Sequence, residues 1–276
     1  MIRVEDLLFK YEKDGEAVLK NIYVDIKEGE YVAIIGPNGC GKTTLIKHFN
    51  ALLSPSKGEV WVDGMNTKDP DAVPKVRQKV GMVFQNPDNQ IVGMTVEEDV
   101  SFGPGNLCLS PPEIRDRVER SLALVGMGNH GKRAPHTLSS GEKQLVAIAG
   151  VMAMNPKYIV FDEPTAHLDP SGRKRVLKVI RNLNREGITI IHVTHNMDEI
   201  VEVTRVIVMN GGGILLSEPP AEVFVKVQLL RDLGLDVPQV TELMWQLRQM
   251  GIDVRPEILT LDGAREEISS LIKRRA

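Results

Sequence analysis

Runs of apolar residues alternate with stretches of helical periodicity along most of the chain. Three runs are almost continuously apolar, Tyr31 to Ile35, Tyr158 to Phe161 and Thr189 to Val193, as is typical of strands that are covered on both faces. Val80 to Gln85 and Arg205 to Met209 are predicted as further strands. Because helical stretches separate these runs, the pattern predicts parallel strands joined by helical crossovers. The predicted fold class is therefore α/β.

Two regions depart from this alternation. From about residue 87 to about residue 155 the pattern becomes helical, notably from Pro112 to Val125, and predicts a helical insertion. After about Pro220 it predicts only short helices. We therefore expect one large domain over residues 1–220 and a small helical appendage over residues 221–276.

The appendage is predicted to contain two amphipathic helices. Apolar residues recur at helical spacing from Val240 to Met250, and Gly251 ends the run. Asp262 is expected to cap a last helix, whose apolar face would consist of Ile268, Leu271 and Ile272. Periodicity leaves open whether the appendage packs on its own domain or supplies a surface to another subunit.

Composition and charge narrow the classes of function. Hydrophobic residues make up 42% and charged residues 26% of the chain, and the formal net charge is -3. This charge disfavours a nucleic-acid partner, since such binding relies on a basic surface. No stretch reaches the roughly 18 apolar residues that span a bilayer, and no apolar signal segment begins the chain. Cys40 and Cys108 form no disulfide or metal-binding pattern, so we expect a cytosolic chain that any membrane partner must hold in place.

A glycine-rich phosphate-binding pattern follows the first buried strand. Residues 36–43 read Gly-Pro-Asn-Gly-Cys-Gly-Lys-Thr, which matches the P-loop, and a helical run begins at Thr44. Backbone N–H groups of such a loop point at phosphates, Lys42 is expected to reach the β- and γ-phosphates, and the Thr43 hydroxyl to ligate Mg²⁺. Because Cys40 lies in this loop, alkylation of its thiol should impair the site. The predicted nucleotide-binding residues here are Gly36, Asn38, Gly39, Cys40, Gly41, Lys42, Thr43 and Thr44.

The second half of the predicted site follows the strand Tyr158 to Phe161. Asp162 and Glu163 come directly after it, at the carboxyl end of a parallel strand, where the P-loop also lies. Asp162 is suited to hold Mg²⁺, directly or through water. Glu163 is suited to polarise an attacking water, a general-base role worth roughly 10²–10⁴-fold in rate.

With these motifs in place, the chain resembles the ABC ATPase family. Residues 138–142, Leu-Ser-Ser-Gly-Glu, are similar to the family signature Leu-Ser-Gly-Gly-Gln, and residues 163–169 are similar to the segment that ends at the D-loop aspartate, here Asp169. Gln85 matches the Q-loop glutamine and His195 the switch histidine. Tyr11 stands where the family has an aromatic ring that stacks on adenine. The resemblance covers about residues 1–220, with every motif in order.

The resemblance implies a P-loop NTPase with a RecA-like parallel sheet core, an antiparallel β subdomain and a helical subdomain, and it implies ATP and Mg²⁺ as cofactors. The catalytic residues would be Glu163, His195, Gln85 and Lys42, and the metal-binding residues Thr43, Gln85 and Asp162. The residues that join the P-loop in binding nucleotide would be Tyr11, Ser139, Gly141 and Asp169. In the family the signature completes the site of the opposite subunit, so a second ABC ATPase subunit, the same or a similar chain, is an implied partner.

Two residues depart from the family signature. Ser140 replaces the first glycine of its pair, and Glu142 replaces the usual glutamine. An acid near a γ-phosphate is electrostatically unfavourable. Ser139 and Glu142 also have the spacing of a capping box, in which the glutamate side chain returns to the serine amide. Harmless capping is the preferred interpretation, and a weakened signature in a heterodimer with one impaired site is the alternative.

Three further segments resemble the energy-coupling factor branch of the family, which includes cobalt, nickel and vitamin importers. They are Phe84 to Gln90, Phe102 to Leu107 and Leu233 to Val240, and the last favours an inter-subunit role for the appendage. This resemblance implies an ATP-hydrolysing motor at the cytoplasmic face of the membrane. A transmembrane coupling protein and a small substrate-binding membrane protein would be its partners, with no nucleic acid. The alternative is a soluble ABC ATPase acting on ribosomes or DNA, although such proteins usually carry two ATPase domains or a coiled-coil insertion.

Overall fold

The computed structural model describes residues 1–275, which form two β-sheets with helices packed around them. The strands are β1 Ile2–Phe9, β2 Leu19–Ile26, β3 Tyr31–Ile35, β4 Lys57–Val62, β5 Met65–Asn66, β6 Val80–Val83, β7 Tyr158–Asp162, β8 Thr189–Val193, β9 Arg205–Asn210 and β10 Gly213–Glu218. The helices are α1 Lys42–Phe49, α2 Val73–Lys79, α3 Val96–Asn106, α4 Pro111–Leu124, α5 Ser140–Ala153, α6 Pro170–Arg185, α7 Pro220–Phe224, α8 Val227–Asp232, α9 Gln239–Gln249 and α10 Leu261–Arg275. Short 3-10 turns lie at Pro87–Asn89, Gly128–His130, Pro135–Thr137 and Met197–Glu199.

The larger sheet has five parallel strands and one antiparallel strand at its edge. Its order is β10-β9-β3-β8-β7-β6, and β10 runs antiparallel to β9. Strands β3, β7 and β8 are buried at every position, which explains their continuous apolar composition. Successive side chains point to opposite faces, so Ala33 packs in the core shared with α3, α4 and α5, whereas Ile34 packs in the core beneath the smaller sheet. The predicted α/β class is confirmed.

The smaller sheet is antiparallel and lies over the helix that follows the P-loop. Its order is β2-β1-β4-β5. Buried and exposed positions alternate along β2, as expected when one face of a sheet packs and the other meets water. Ile2 and Leu7 of β1 share a core with Leu45 and Phe49 of α1. The sheet thereby holds α1, and with it the end of the P-loop, against the parallel sheet.

Helices α3, α4 and α5 lie between β6 and β7 in the chain. α3 begins with a capping box in which Thr95 and Glu98 exchange hydrogen bonds, so the entry to this helical segment is defined locally. α5 runs through the core, where Leu145 and Ile148 are buried with Val100 of α3.

Strand β6 is shorter than predicted, since it ends at Val83 and not at Gln85. The side chain of Gln90 folds back on this end. Its Oε1 accepts a hydrogen bond from the Phe84 N–H at 3.2 Å, and its Nε2 donates to the Met82 carbonyl at 3.3 Å. These side-chain hydrogen bonds take the place of further backbone hydrogen bonds between strands. Gln85 therefore lies on a loop beyond the carboxyl end of β6.

The appendage begins on the main domain and ends as a separate helix pair. α7 and α8 pack in the main core through Phe224 and Leu230. α9 and α10 share a small core of their own, in which Met244 is fully buried. The N–H of Gln239 donates to Asp198 Oδ1 at 3.1 Å, which ties the start of α9 to the main domain.

Over residues 1–275, no helix combines the length and apolarity needed to cross a membrane.

The prediction that Asp262 caps the last helix is wrong. α10 begins at Leu261, and the hydroxyl of Thr260 accepts a hydrogen bond from the Gly263 N–H at 3.2 Å, as an N-cap residue does. Asp262 instead lies in the first turn, where its charge is favourable to the helix dipole. Of the predicted apolar face, Leu271 contacts the small core, whereas Ile272 is 65% exposed.

Candidate nucleotide-binding and catalytic site

The P-loop connects β3 to α1 and is held between two strands. A Cβ at Gly36 would lie 2.3 Å from the carbonyl oxygen of Met209 in β9. Gly41 has a φ of +103°, and a Cβ there would lie 2.7 Å from the Leu19 side chain. Glycine is therefore required at both positions. Asn38 and Gly39 lie at the exposed tip of the loop.

Lys42 carries its charge inside the curve of this loop. The residue is buried, and its Nζ donates to the carbonyls of Gly36 at 2.8 Å and Pro37 at 3.1 Å. The ammonium group and the backbone N–H groups at the start of α1 therefore face the same space. Such a combination is suited to the phosphates of a nucleotide.

Thr43 and Asp162 bring two oxygen ligands together beside the loop. The Thr43 hydroxyl donates to Asp162 Oδ1 at 3.2 Å. Burial raises the pKa of Asp162, the Glu163 carboxylate raises it further, and the Thr43 hydrogen bond opposes both. The described residues contain no cluster of three or more His, Cys, Asp or Glu side chains that could hold a metal. The Thr43 hydroxyl and the Asp162 carboxylate nevertheless fit Mg²⁺, which binds through one or two protein oxygens together with substrate phosphates.

The side chains of Gln85, Glu163 and His195 meet beyond the carboxyl ends of the parallel strands. Gln85 Nε2 donates to Glu163 Oε2 at 3.2 Å, and His195 Nε2 lies 3.0 Å from Glu163 Oε1. Glu163 adopts a φ of 50°, a conformation uncommon for a residue with a side chain. The three residues lie on different loops, and the structure brings all of them together, with the Gln85 amide at one oxygen of the Glu163 carboxylate and the His195 ring at the other.

Tyr11 lies beside the first turn of α1. Its hydroxyl is 3.1 Å from Thr44 Oγ1, and its ring meets Phe9 edge-on with centroids 4.9 Å apart. Tyr11 is nevertheless 61% exposed. An aromatic face next to the phosphate-binding loop is available for a flat ligand group.

Ser139 and Glu142 form the predicted capping box at the start of α5. Glu142 Oε2 accepts from the Ser139 N–H at 2.8 Å, and Ser139 Oγ accepts from the Glu142 N–H at 3.3 Å. The hydrogen bonds from the Ser139 backbone and hydroxyl lower the pKa of Glu142, with smaller contributions from Arg133 and His130. The predicted capping box is confirmed, and the charge of Glu142 has partners within its own subunit.

Gly141 and Asp169 lie where α5 meets α6. Asp169 Oδ1 accepts from the Gly172 N–H at 3.0 Å and so caps α6. A Cβ at Gly141 would lie 3.1 Å from the Cα of Gly172, so the two helix starts are in close contact. Ser139, Gly141 and Asp169 form a second group of residues, and within residues 1–275 no hydrogen bond or ion pair joins this group to the P-loop.

The family of this chain follows from comparisons with known proteins. The family model described as ABC transporter matches residues 19–166. The cobalt import ATP-binding protein CbiO of Syntrophus aciditrophicus is 54% identical over 270 residues, which cover 98% of this chain and 96% of that protein. The chain belongs to the ABC transporter family. The motifs of the sequence and the geometry above are those of its ATP-binding subunits, which bind and hydrolyse ATP.

Other members of the ABC transporter family match over similar lengths. The energy-coupling factor transporter ATP-binding protein EcfA1 of Clostridium novyi is 52% identical over 95% of each chain. The solved structure of cbiO1 from Clostridium perfringens, described as part of the ABC transporter complex cbiONQ, is 39% identical with a TM-score of 0.77 and covers 91% of this chain and 96% of its own. A dimeric ATP-binding cassette bound to ADP and phosphate in a post-hydrolysis state is 32% identical with a TM-score of 0.71 and covers 79% of this chain and 98% of its own.

The structure also contains a buried carboxylate that the ABC motifs did not predict. Glu199 is 3% exposed and accepts hydrogen bonds from Thr165 and Thr194. Burial raises its pKa, and these two hydroxyls and the nearby Arg173 oppose the rise. The available sequence signal was an acid between apolar residues, since Met197 and Ile200 on either side are buried. That signal does not identify the partners, because Thr165 is far away in the sequence.

Proposed function

We propose that this chain is the ATP-hydrolysing motor subunit of an energy-coupling factor type importer, which takes up a metal ion or a vitamin through membrane partner proteins. The observation that carries the proposal is the length of the similarity. The CbiO relative matches 98% of this chain, and the EcfA1 relative matches 95%. Both matches therefore extend well beyond residues 19–166, which carry the general ABC transporter match.

In the proposed hydrolysis, Glu163 is the general base. Its carboxylate accepts a proton from the attacking water, and the Gln85 amide holds one carboxylate oxygen in place. His195, at the other oxygen, is positioned to hydrogen-bond the terminal phosphate. Lys42 and the P-loop amides bind the β- and γ-phosphates.

Thr43, Asp162 and Gln85 are the proposed Mg²⁺-binding residues, and Tyr11 is the proposed adenine platform. Mg²⁺ neutralises phosphate charge when it is bound. The hydrogen bond between Thr43 and Asp162 supports a shared role for their oxygens. The exposed ring of Tyr11 next to Thr44 supports stacking on a base.

A second ABC ATPase subunit, the same or a similar chain, completes each site in this proposal. Ser139, Gly141 and Asp169 form a group separate from the P-loop, and a helix N-terminus at Ser139 offers backbone amides and a favourable dipole to phosphate. The dimeric cassette bound to ADP and phosphate supports a pair of ATPase subunits.

We assign residues 1–220 to the ATPase domain, with a helical insertion at about residues 87–155, and residues 221–276 to an appendage that contributes to dimerisation. The separate core of α9 and α10 supports an appendage that is independent from about residue 239 onward, whereas α7 and α8, at its start, pack in the core of the main domain. Leu243 of α9 is 42% exposed, and Met250, the residue that caps the end of α9, is 76% exposed. Residues seven apart lie on one face of a helix.

The transmembrane coupling protein is proposed to bind beside the Gln85 loop, at the cytoplasmic face of the membrane. A cavity of about 330 Å³ opens between the parallel sheet and the helical segment, and Met82, Phe84 and Phe102 contribute to its lining. Val92 and Phe102, which line it, are 65% and 59% exposed, and Met94, two residues after Val92, is 83% exposed. An apolar surface of this kind favours a protein partner, and a small substrate-binding membrane protein would join through the coupling protein.

The deciding experiment is a pull-down of the tagged full chain from detergent-solubilised native membranes, with partners identified by mass spectrometry. We expect a multi-span coupling protein and a small membrane binder, whose identity would indicate the transported substrate. A matched bait carrying Met94→Glu and Phe102→Glu should lose both proteins and keep the second ATPase subunit. Recovery of ribosomes or nucleic acid, without a membrane protein, would contradict the importer and leave the ATPase unaffected.

A further inference from the structure

Glu199 lies at the centre of a buried polar network next to the catalytic residues. It ends the 3-10 turn Met197–Glu199, four residues after His195. Thr165 Oγ1 donates to its two carboxylate oxygens at 2.8 and 3.0 Å, and Thr194 Oγ1 donates to Oε2 at 3.0 Å. The carboxylate therefore joins two segments that are separate in the sequence.

The two threonines belong to the loops that carry the proposed catalytic side chains. Thr165 is two residues after Glu163, and Thr194 directly precedes His195. The N–H of Glu163 also donates to the carbonyl of Val193 at 2.9 Å. Apart from the contact between Glu163 and His195 themselves, the loops after β7 and β8 are thus joined through their backbones and through Glu199.

The loop that contains Thr165 has an unfavourable backbone on both sides of it. Glu163 has a φ of 50° and His167 a φ of 63°. Non-glycine residues keep such conformations only where the surroundings hold them, and they are frequent at functional sites. The hydroxyl of Thr165 is the group through which Glu199 contacts this loop.

Further charged or titratable groups lie around the Glu199 carboxylate, among them Arg181 of α6, whose charge opposes the rise of its pKa. Arg173 Nε of α6 is 3.6 Å from Oε1, and His192 Nε2 of β8 is 3.7 Å from Oε2. Tyr31 occupies the other ring nitrogen of His192 at 3.1 Å. Because a buried carboxylate is costly unless its oxygens are hydrogen-bonded, both threonine hydroxyls are held in one arrangement.

On the basis of the catalytic roles proposed above for Glu163 and His195, we propose that Glu199 is a positioning residue for ATP hydrolysis. Its carboxylate holds the loops of Glu163 and His195 at the separation at which these side chains act together. It contacts neither side chain directly and acts through Thr165 and Thr194. A displacement of about 1 Å between reacting groups lowers rates by about 100-fold, so loosening this connection should slow turnover more than it weakens ATP binding.

The test measures steady-state ATP hydrolysis by the full chain, with binding of a fluorescent ATP analogue to count competent sites. Glu199→Ala and Thr165→Val should each lower kcat per competent site by about 10- to 100-fold, with KM for ATP changed less than about threefold. Thr165→Ser keeps the hydroxyl and should restore kcat to within about threefold of the original chain. Glu186→Gln is the control, since Glu186 is an exposed glutamate at the end of α6, and it should leave kcat and KM unchanged.

The double variant Thr165→Val with Glu199→Ala tests whether the two residues act as a unit. Its kcat should be no lower than that of the more impaired single variant, because residues acting through one another are non-additive. If Glu199→Ala does not fold, the proposal is tested by comparing the kcat of Thr165→Val, which loses the hydroxyl, with that of Thr165→Ser, which keeps it.

Two results would overturn the proposal for Glu199. One is a kcat within about twofold of the original for both Glu199→Ala and Thr165→Val. The other is a loss of turnover that matches the loss of competent sites, which indicates a structural role only. Glu163→Gln is measured alongside. Full turnover by that variant would refute the proposed catalytic site itself, whereas an inactive Glu163→Gln with unaffected Glu199 variants would refute only the positioning role.

Discussion

His195 Nε2 lies 3.0 Å from Glu163 Oε1, because both residues follow the carboxyl ends of the neighbouring parallel strands β8 and β7. Gln85 donates to the other carboxylate oxygen from a loop beyond β6, and β6 is the neighbour of β7. Three adjacent strands thus deliver one side chain each to the same place, which is the usual position of sites in parallel sheets.

Replacing Glu163 by glutamine should abolish turnover without abolishing ATP binding. The amide keeps the shape of the side chain and removes its basicity, so we expect hydrolysis to fall at least about 100-fold. Affinity for ATP, measured by equilibrium titration, should change less than about threefold, because Lys42 and the P-loop are untouched. Glu186→Gln, an exposed glutamate after α6, is the control. Turnover above about a tenth of the original rate would remove Glu163 from the role of base.

The charge of Glu142 is expected to be compatible with an active signature. Glutamine can also form a capping box, so Glu142→Gln should change ATP turnover less than about threefold. The neighbouring Arg133, whose Nη1 is 4.0 Å from Oε1, already offsets part of the charge in the original chain. Ser139→Ala removes the cap hydroxyl and should lower the free energy of unfolding by about 1 kcal/mol. A gain in turnover of tenfold or more for Glu142→Gln would instead indicate that the acid impairs the signature.

What could be predicted from the sequence is local or depends on one motif. The continuous apolar runs of β3, β7 and β8 identify buried strands because parallel sheets are covered on both faces. The capping box of Ser139 and Glu142 depends on residues only three apart. The P-loop has a fixed relation to the strand before it and the helix after it. Each of these patterns lies within a few residues of chain.

The features that the sequence did not predict depend on contacts between distant segments or on a side chain that folds back on its own strand. The end of β6 is set by Gln90, whose side chain replaces ladder hydrogen bonds, and strand propensity does not contain that information. The network of Glu199 with Thr165 joins residues 34 apart. Thr260 precedes the charged residue that was expected to cap α10, and both residue types are good caps.

Asp63 should contribute stability that depends on pH. Burial alone raises the pKa of this carboxyl, but hydrogen bonds from Lys79, the chain's amino terminus, Tyr158 and Lys157 outweigh it and hold the pKa well below its ordinary value. The Tyr158 hydroxyl is 2.6 Å from Oδ1, and Lys79 Nζ is 2.8 Å from Oδ2. These bonds connect the turn between β4 and β5 to the start of β7 and the end of α2.

Asp63→Asn should therefore lower the free energy of unfolding at pH 7 by about 2 kcal/mol. Because the folded pKa is the lower one, this contribution is complete above the unfolded pKa of about 4 and is lost as the pH falls below it. Urea unfolding at several pH values should show the two proteins converging as the pH falls from about 5 to 3. Asp116→Asn removes an exposed pair with Arg120 and should cost less than about 0.5 kcal/mol. A difference between the original chain and Asp63→Asn that stays constant over this pH range would contradict the assigned pKa.

The two thiols should react with alkylating agents at very different rates. Cys40 is 5% exposed, and burial raises the pKa of its thiol, with Lys42 opposing only in part. Cys108 is exposed. Since the thiolate is the reactive form, iodoacetamide at pH 7.5 should modify Cys108 at least about tenfold faster than Cys40. Mass spectrometry of the labelled chain measures both rates in one sample.

ATP turnover should follow modification of Cys40 and not of Cys108. A carbamidomethyl group on Cys40 would enter the space beside Gly36, where the Sγ atom already lies 2.7 Å from the Cβ that the glycine lacks. The P-loop would have to change shape to accept it, and the phosphate-binding amides would move with it. Cys108→Ser removes the fast reaction and should leave the rate of inactivation unchanged. Full turnover after complete modification of Cys40 would mean that the loop tolerates the added group, and the expected sensitivity to alkylation would be wrong.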